Sequence, residues 1–150
     1  MEDLVIRLAT ERDLDAIYAI EGLCFTDPYP HAFLQALHNL NPHTFFVAER
    51  AGALVGYVIA TEDQGHGHIL AIAVHPSKRR QGIGTRLITA ALQALRRCGA
   101  ATVRLEVRRS NLAAQRFYED HGFLYSHTIA GYYDDEDGLI YYRALSIDVR

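Results

Sequence analysis

The tightest constraint on this 150-residue chain is an abrupt change of character at Val74. Ahead of it, "HILAIAV" (68–74) is apolar almost throughout, as expected of a strand covered on both faces. Behind it, "HPSKRRQGIGTRL" (75–87) packs three consecutive cations and two glycines. Leu87, Ile88, Ala91, Leu92 and Leu95 then form an apolar helical stripe that ends near Gly99. "ATVRLEVRR" (101–109) returns to the alternation of a strand. Strand, helix and strand in succession mean a crossover, so the two strands should run parallel, with 68–74 at the centre of a sheet.

The flanks add antiparallel and helical pieces. Residues 4–8 alternate as a strand, and "TERD" (10–13) reads as a capping box opening a helix with Leu14, Ile17, Tyr18 and Glu21 at helical spacing. "TDPYP" (26–30) breaks that helix, and a second short one over 32–40 completes a helical hairpin. Residues 44–61 predict a β-hairpin turning near Ala51-Gly52. "NLAAQRFYEDHG" (111–122) predicts a helix closed by Gly122, and 123–133 and 139–147 predict two strands around the acidic turn "DDEDG". Without repeats, low-complexity tracts or a long linker, the expectation is one mixed α/β domain over 1–150.

Composition narrows the function. Apolar residues make up 49% and charged residues 22%, enough for a buried core, and the net charge of −3 argues against a general nucleic-acid binder. Cys24 and Cys98 form no CxxC pair, which suggests neither a zinc site nor a disulfide framework and fits a reducing cytoplasm. His66 and His68 in "GHGH" have no acidic or cysteine partner at ligand spacing, so they read as polar turn residues and no metal is expected. The acidic start "MEDLVIRLAT" and the lack of an uncharged apolar stretch of spanning length lead us to expect neither secretion nor a membrane span.

Where the central strand turns into a helix, the first amides lack intrahelical partners and sit at the positive end of the macrodipole. Gly82 and Gly84 leave those amides open, and Lys78, Arg79 and Arg80 add charge, so the loop suits a phosphate. It is neither a Walker A motif nor G-x-G-x-x-G, and a solvated basic turn remains the alternative.

"RRQGIG" (79–84) after "AIAVHP" resembles the pyrophosphate loop of the GCN5-related N-acetyltransferase (GNAT) superfamily. "LEVRRSNLAAQRFYEDHGF" (105–123) resembles its second signature, in the version found in the RimI-like ribosomal-protein alanine N-acetyltransferases, and "GYY" (131–133) extends the likeness. The resemblance implies a GNAT fold: a mixed six- to seven-stranded sheet, its central parallel strands splayed around acetyl-CoA, with helices on both faces. It implies that acetyl-CoA, as co-substrate, rests its pyrophosphate on the loop formed by Arg79, Arg80, Gln81, Gly82, Ile83, Gly84 and Thr85. The backbone of Ile72, Ala73 and Val74 would pair with the pantetheine arm, and Asn111 would touch the cofactor from the next helix.

By the same resemblance Glu106 is the general base, and Tyr118 protonates the departing thiolate, leaving Phe117 as the better core residue. The alternation of 103–108 puts Glu106 on the polar face with Arg104 and Arg108, so a plain ion pair with either is the alternative. Tyr132 and Tyr133 would line the groove for the substrate's first residues, with Tyr29 in the opposite wall; local packing is the other reading of all three.

The implied reaction is acetyl transfer to a protein or peptide N-terminal α-amine by direct attack in a ternary complex, since neither cysteine matches a nucleophile position. An α-amine titrates near ~8 and a lysine near ~10.4, so freeing the lysine nitrogen at neutral pH costs roughly 3 kcal/mol more and suits a modest base less. The "DDEDG" turn is shorter than the usual form and "HTIAG" lacks the usual basic residues, both changes touching the peptide groove. Lysine side chains or a small-molecule amine such as a polyamine, antibiotic or metabolite, and a non-catalytic acyl-CoA-binding module, remain as alternatives. The sequence leaves the oligomeric state open.

Overall fold

The computed structural model describes residues 3–145. Seven strands form one sheet in the order β1 (Leu4–Leu8), β2 (Phe45–Arg50), β3 (Ala53–Asp63), β4 (His66–Val74), β5 (Thr102–Arg108), β7 (Glu136–Ala144) and β6 (Leu124–Tyr133). Every neighbouring pair is antiparallel except β4 and β5, which are joined through α3 (Ile83–Arg97) and run parallel as the crossover requires. The apolar run 68–74 does lie in the central strand.

Helices cover both faces. On one, Leu87, Ile88, Ala91 and Leu95 of α3 pack with Val58, Ala60, Leu105 and Phe123, joined by Tyr118 from α4 (Leu112–Asp120). On the other, Leu14, Ile17 and Ile20 of α1 (Leu14–Cys24) and Leu34 and Leu37 of α2 (His31–Leu40) pack on Val47, Tyr57 and Ile59. Neighbours on β3 thus feed opposite cores, Val58 one and Tyr57 the other, as a pleat requires. The capping box forms, with the Thr10 amide donating to Asp13 Oδ2 at 2.7 Å, but it caps a short 3-10 turn (Glu11–Asp13) that leads into α1.

The two parallel strands pair only over His66↔Thr102, Gly67↔Val103 and His68↔Arg104. They meet at Gly67, where a Cβ would stand 3.2 Å from both Leu95 Cδ1 and Val103 Cγ2, so a residue without a side chain permits the approach. Beyond His68 they part, and residues 69–74 of β4 keep a ladder partner only on the β3 side. His75 N donates to Val55 O at 2.8 Å; by antiparallel alternation Ala73 also turns its backbone to β3, while Ile72 and Val74 turn theirs into the gap.

Two boundaries differ from the sequence reading. β4 starts at His66, two residues ahead of the expected strand, because pairing with Thr102 and Val103 carries it back past the apolar run, so neither His66 nor His68 is a turn residue. The last hairpin turns on Asp134 and Asp135 alone, and Glu136 and Asp137 are already in β7, with Glu136 opposite Tyr133. The expected strand over 139–147 is seen up to Ala144; its end lies outside the described residues. β6 is an edge strand, exposed from Leu124 to Tyr132 and free of charged side chains, and it breaks register between Ile129 and Tyr133 around Gly131, whose φ is 65°.

Candidate active site

The gap between β4 and β5 opens into a cavity of about 290 Å³. Its walls bring together Tyr29, Ile72, Glu106, Asn111, Tyr118, Tyr132 and Tyr133, seven of the residues singled out from the sequence. Glu21, Asp27, Leu70 and Arg108 line it as well.

Glu106 sits just past the point of divergence, its side chain 10% exposed. His68 Nε2 lies 2.7 Å from Oε1, and Arg104 Nε lies 2.8 Å from Oε2. Oε2 is thus held by the Arg104 guanidinium on its polar side, at a contact too bent to be a well-aligned hydrogen bond. Burial pushes the carboxyl pKa up, but the His68 and Arg104 contacts outweigh it and leave Glu106 below the usual carboxylate range. The anticipated pairing with Arg104 therefore occurs, while Arg108 is engaged elsewhere, with Asp27, Asp135 and Glu136.

Tyr118 is the residue that α4 buries, at 8% exposure, whereas Phe117 is only half-buried, the reverse of the sequence expectation. The helix turns Tyr118 toward Phe123 and the cavity and lays Phe117 across the start of α3, where a Cβ on Gly84 would stand 3.2 Å from the ring. Burial raises the Tyr118 phenol well above its ordinary value, and its hydroxyl hydrogen-bonds no other described residue. Burial and neighbouring charge raise Tyr133 to about 12 and also lift Tyr29 and Tyr132, with Glu106 contributing to all three.

Residues 14–123 match the acetyltransferase (GNAT) family. The chain belongs to that family. It is 37% identical to an uncharacterized N-acetyltransferase of Methanocaldococcus jannaschii over 91% of this chain and 89% of the relative. It is 35% identical to an N-alpha-acetyltransferase of Sulfurisphaera tokodaii, over 90% and 89% respectively. The crystal structure of the ribosomal-protein-S18-alanine N-acetyltransferase of Escherichia coli superposes with a TM-score of 0.89 at 28% identity, covering 98% of this chain and 97% of that one.

In this GNAT member, the remaining predicted residues fall outside the cavity lining. The loop reaches α3 through two left-handed residues, Arg80 at φ 64° and Gly82 at φ 78°. Arg86 N donates to Gly82 O at 3.2 Å, so the amides ahead of it are those a helix start leaves unpaired. Gln81 accepts from Arg50 at 2.5 Å, and Arg79 turns back to Val74 O at 3.3 Å and Cys24 Sγ at 3.5 Å. Asn111 caps α4, its Oδ1 accepting from Ala114 N at 3.1 Å. An extended, amide-bearing arm and an anionic end, as in acetyl-CoA, fit the one-sided edge of β4 and the open amides of α3. Ile72 and Val74 offer backbone groups to such an arm; Ala73 does not, because its own face β3.

The sequence reading missed two partners, one half-buried and one buried. His68 was not linked to Glu106, since only the register of β4 on β5 brings them together. Glu21, 2% exposed, bonds the Tyr57 hydroxyl and accepts from Tyr29 N at 2.9 Å, pinning the wall that carries Tyr29. A glutamate on the apolar stripe of α1 was the available signal.

Proposed function

We propose that this GNAT enzyme transfers an acetyl group from acetyl-CoA to the α-amine of a protein N-terminus by direct attack in a ternary complex. The observation that carries the reading is Glu106: a largely buried carboxylate kept ionised by His68 and Arg104, at the wall of a cavity beside a half-paired strand. Acetyl-CoA supplies an acyl group already activated as a thioester.

The residues divide the remaining work. Glu106 accepts a proton from the incoming ammonium, which a carboxylate of low pKa does more readily for an α-amine near ~8 than for a lysine near ~10.4. Tyr118, kept protonated by burial, holds at its hydroxyl the proton that the departing sulfur requires. Tyr29, Tyr132 and Tyr133 form aromatic walls for the first residues of the peptide. Backbone from Ile72 and Val74 and amides from 80–85 hold the co-substrate, with Arg79 and Arg80 supplying charge and Asn111 a polar contact. Relatives named as an N-alpha-acetyltransferase and a ribosomal-protein-S18-alanine N-acetyltransferase support the choice of acceptor. The reading places the activity in one domain over 1–150 and in the cytoplasm, where the free thiols of Cys24 and Cys98 persist. Among the described residues no helix is long and apolar enough to cross a membrane.

The test is acetyl-CoA turnover, followed by thiol release, on short peptides with varied first residues, each made with a free N-terminus and again α-blocked with an internal lysine. Turnover confined to free N-termini is expected. Activity on the blocked lysine peptides overturns the reading.

A further inference from the structure

Arg108 ends β5 at the mouth of the cavity and reaches both of its walls. One terminal nitrogen donates to Asp27 Oδ2 at 2.7 Å, in the segment between α1 and α2. The other donates to Asp135 Oδ1 at 2.7 Å and Glu136 Oε1 at 3.1 Å, in the β6–β7 hairpin. The guanidinium carbon stands 4.3 Å from the centroid of the Tyr133 ring. Among the described residues no hydrogen bond runs directly from 25–30 to 131–137; the two walls are joined through this one side chain.

The walls are not held alike. The hairpin has its ladder to β5 and a further tie, Glu136 accepting from Ser110 N at 3.0 Å and Ser110 Oγ at 2.9 Å. The 25–30 segment has no ladder: Glu21 lies beneath it, the Tyr29 hydroxyl makes a long contact to Leu70 O at 3.4 Å, its ring meets Phe33, and Arg108 holds its tip. We infer that Arg108 is a positioning residue for the acceptor peptide: its planar fork fastens the Asp27 wall to the Tyr133 wall and so sets the width of the groove. The inference rests on the N-terminal acetylation reading for the identity of that peptide. A lysine carries the same charge but lacks the fork, so it cannot hold Asp27 and Asp135 together while stacked on Tyr133.

The Tyr29 amide reports on the tie, because its hydrogen bond to Glu21 breaks when the segment lifts. Arg108→Lys and Asp27→Asn should each speed its hydrogen exchange by roughly three- to tenfold. Each should raise peptide KM by a similar factor and leave acetyl-CoA KM as in the wild type, and the double variant should do little more than either single one. An Arg108→Lys protein whose Tyr29 amide and peptide KM match the wild type overturns the inference, and so do additive effects in the double variant. Faster exchange with unchanged peptide KM also overturns it, since the tie would then not govern the groove. If the wild type acetylates no N-terminal peptide, the functional reading fails, and the exchange of Tyr29 alone decides whether Arg108 fastens the walls.

Discussion

His68 Nε2 stands 2.7 Å from Glu106 Oε1 across the fork at which β4 and β5 part. His68 is the last residue of β4 paired with β5, and Glu106 lies two residues beyond its partner Arg104. The register of three backbone pairs thus decides the company of the carboxylate.

Replacing Glu106 with Gln keeps the shape of the side chain and removes the proton acceptor. Turnover should fall by about 10²- to 10⁴-fold, with acetyl-CoA affinity by calorimetry retained. A variant within a few-fold of wild-type kcat would remove Glu106 from the role of base.

The pH dependence follows from the direction of the Glu106 shift. Held below its usual range, the carboxylate is ionised throughout neutral pH, so the rise of kcat/KM with pH should track the peptide amine near ~8. His68→Gln removes one of the two contacts that oppose burial, so the Glu106 pKa rises and a new loss of activity appears on the acid side. The stability sign is that of a lowered carboxyl: its contribution is present above the unfolded value of ~4.3 and is lost as pH falls through the lower folded value. Urea midpoints of wild type and Glu106→Gln should therefore converge as pH falls below that range.

Tyr118→Phe separates chemistry from packing. The ring stays in the core beside Phe123, and the hydroxyl it loses has no hydrogen-bond partner among the described residues. Stability should change by about 1 kcal/mol or less while kcat drops by roughly tenfold or more. Equal losses in melting and turnover would mark Tyr118 as structural only.

Gly138→Ala tests the tyrosine wall from behind. A Cβ at Gly138 would lie 2.8 Å from Cβ and Cγ of Tyr132, so the aromatic side chain has to move. Peptide KM should rise severalfold with little change in acetyl-CoA KM. Unchanged peptide kinetics would place Tyr132 outside the groove.

The crossover was legible because its signals are local: an apolar run, a basic loop with glycines and a helical stripe in immediate succession. The rest depended on distant partners. Glu136 and Asp137 have poor strand propensity, and they enter β7 because Tyr133 pairs with Glu136, Arg109 N donates to Asp137 O at 3.2 Å, and Arg108, Arg109 and Ser110 supply charge and donors. Phe117 and Tyr118 are adjacent aromatics on one helix, and which of them faces inward is set by how α4 sits against α3, not by composition. His68 carried no signal at all, since its meaning arises only when residue 68 meets residue 104.

Over residues 69–74 the central strand is a sheet left half finished, and a guest that pairs with Ile72 and Val74 completes it as an added strand would. Such a guest binds the folded chain and not the unfolded one, so mass action makes part of the molecule's heat resistance a property of its surroundings. At a hundredfold excess over the dissociation constant the added stability is about 2.7 kcal/mol. The melting temperature then acts as a gauge of co-substrate supply, and a cell short of acetyl donor holds a softer protein.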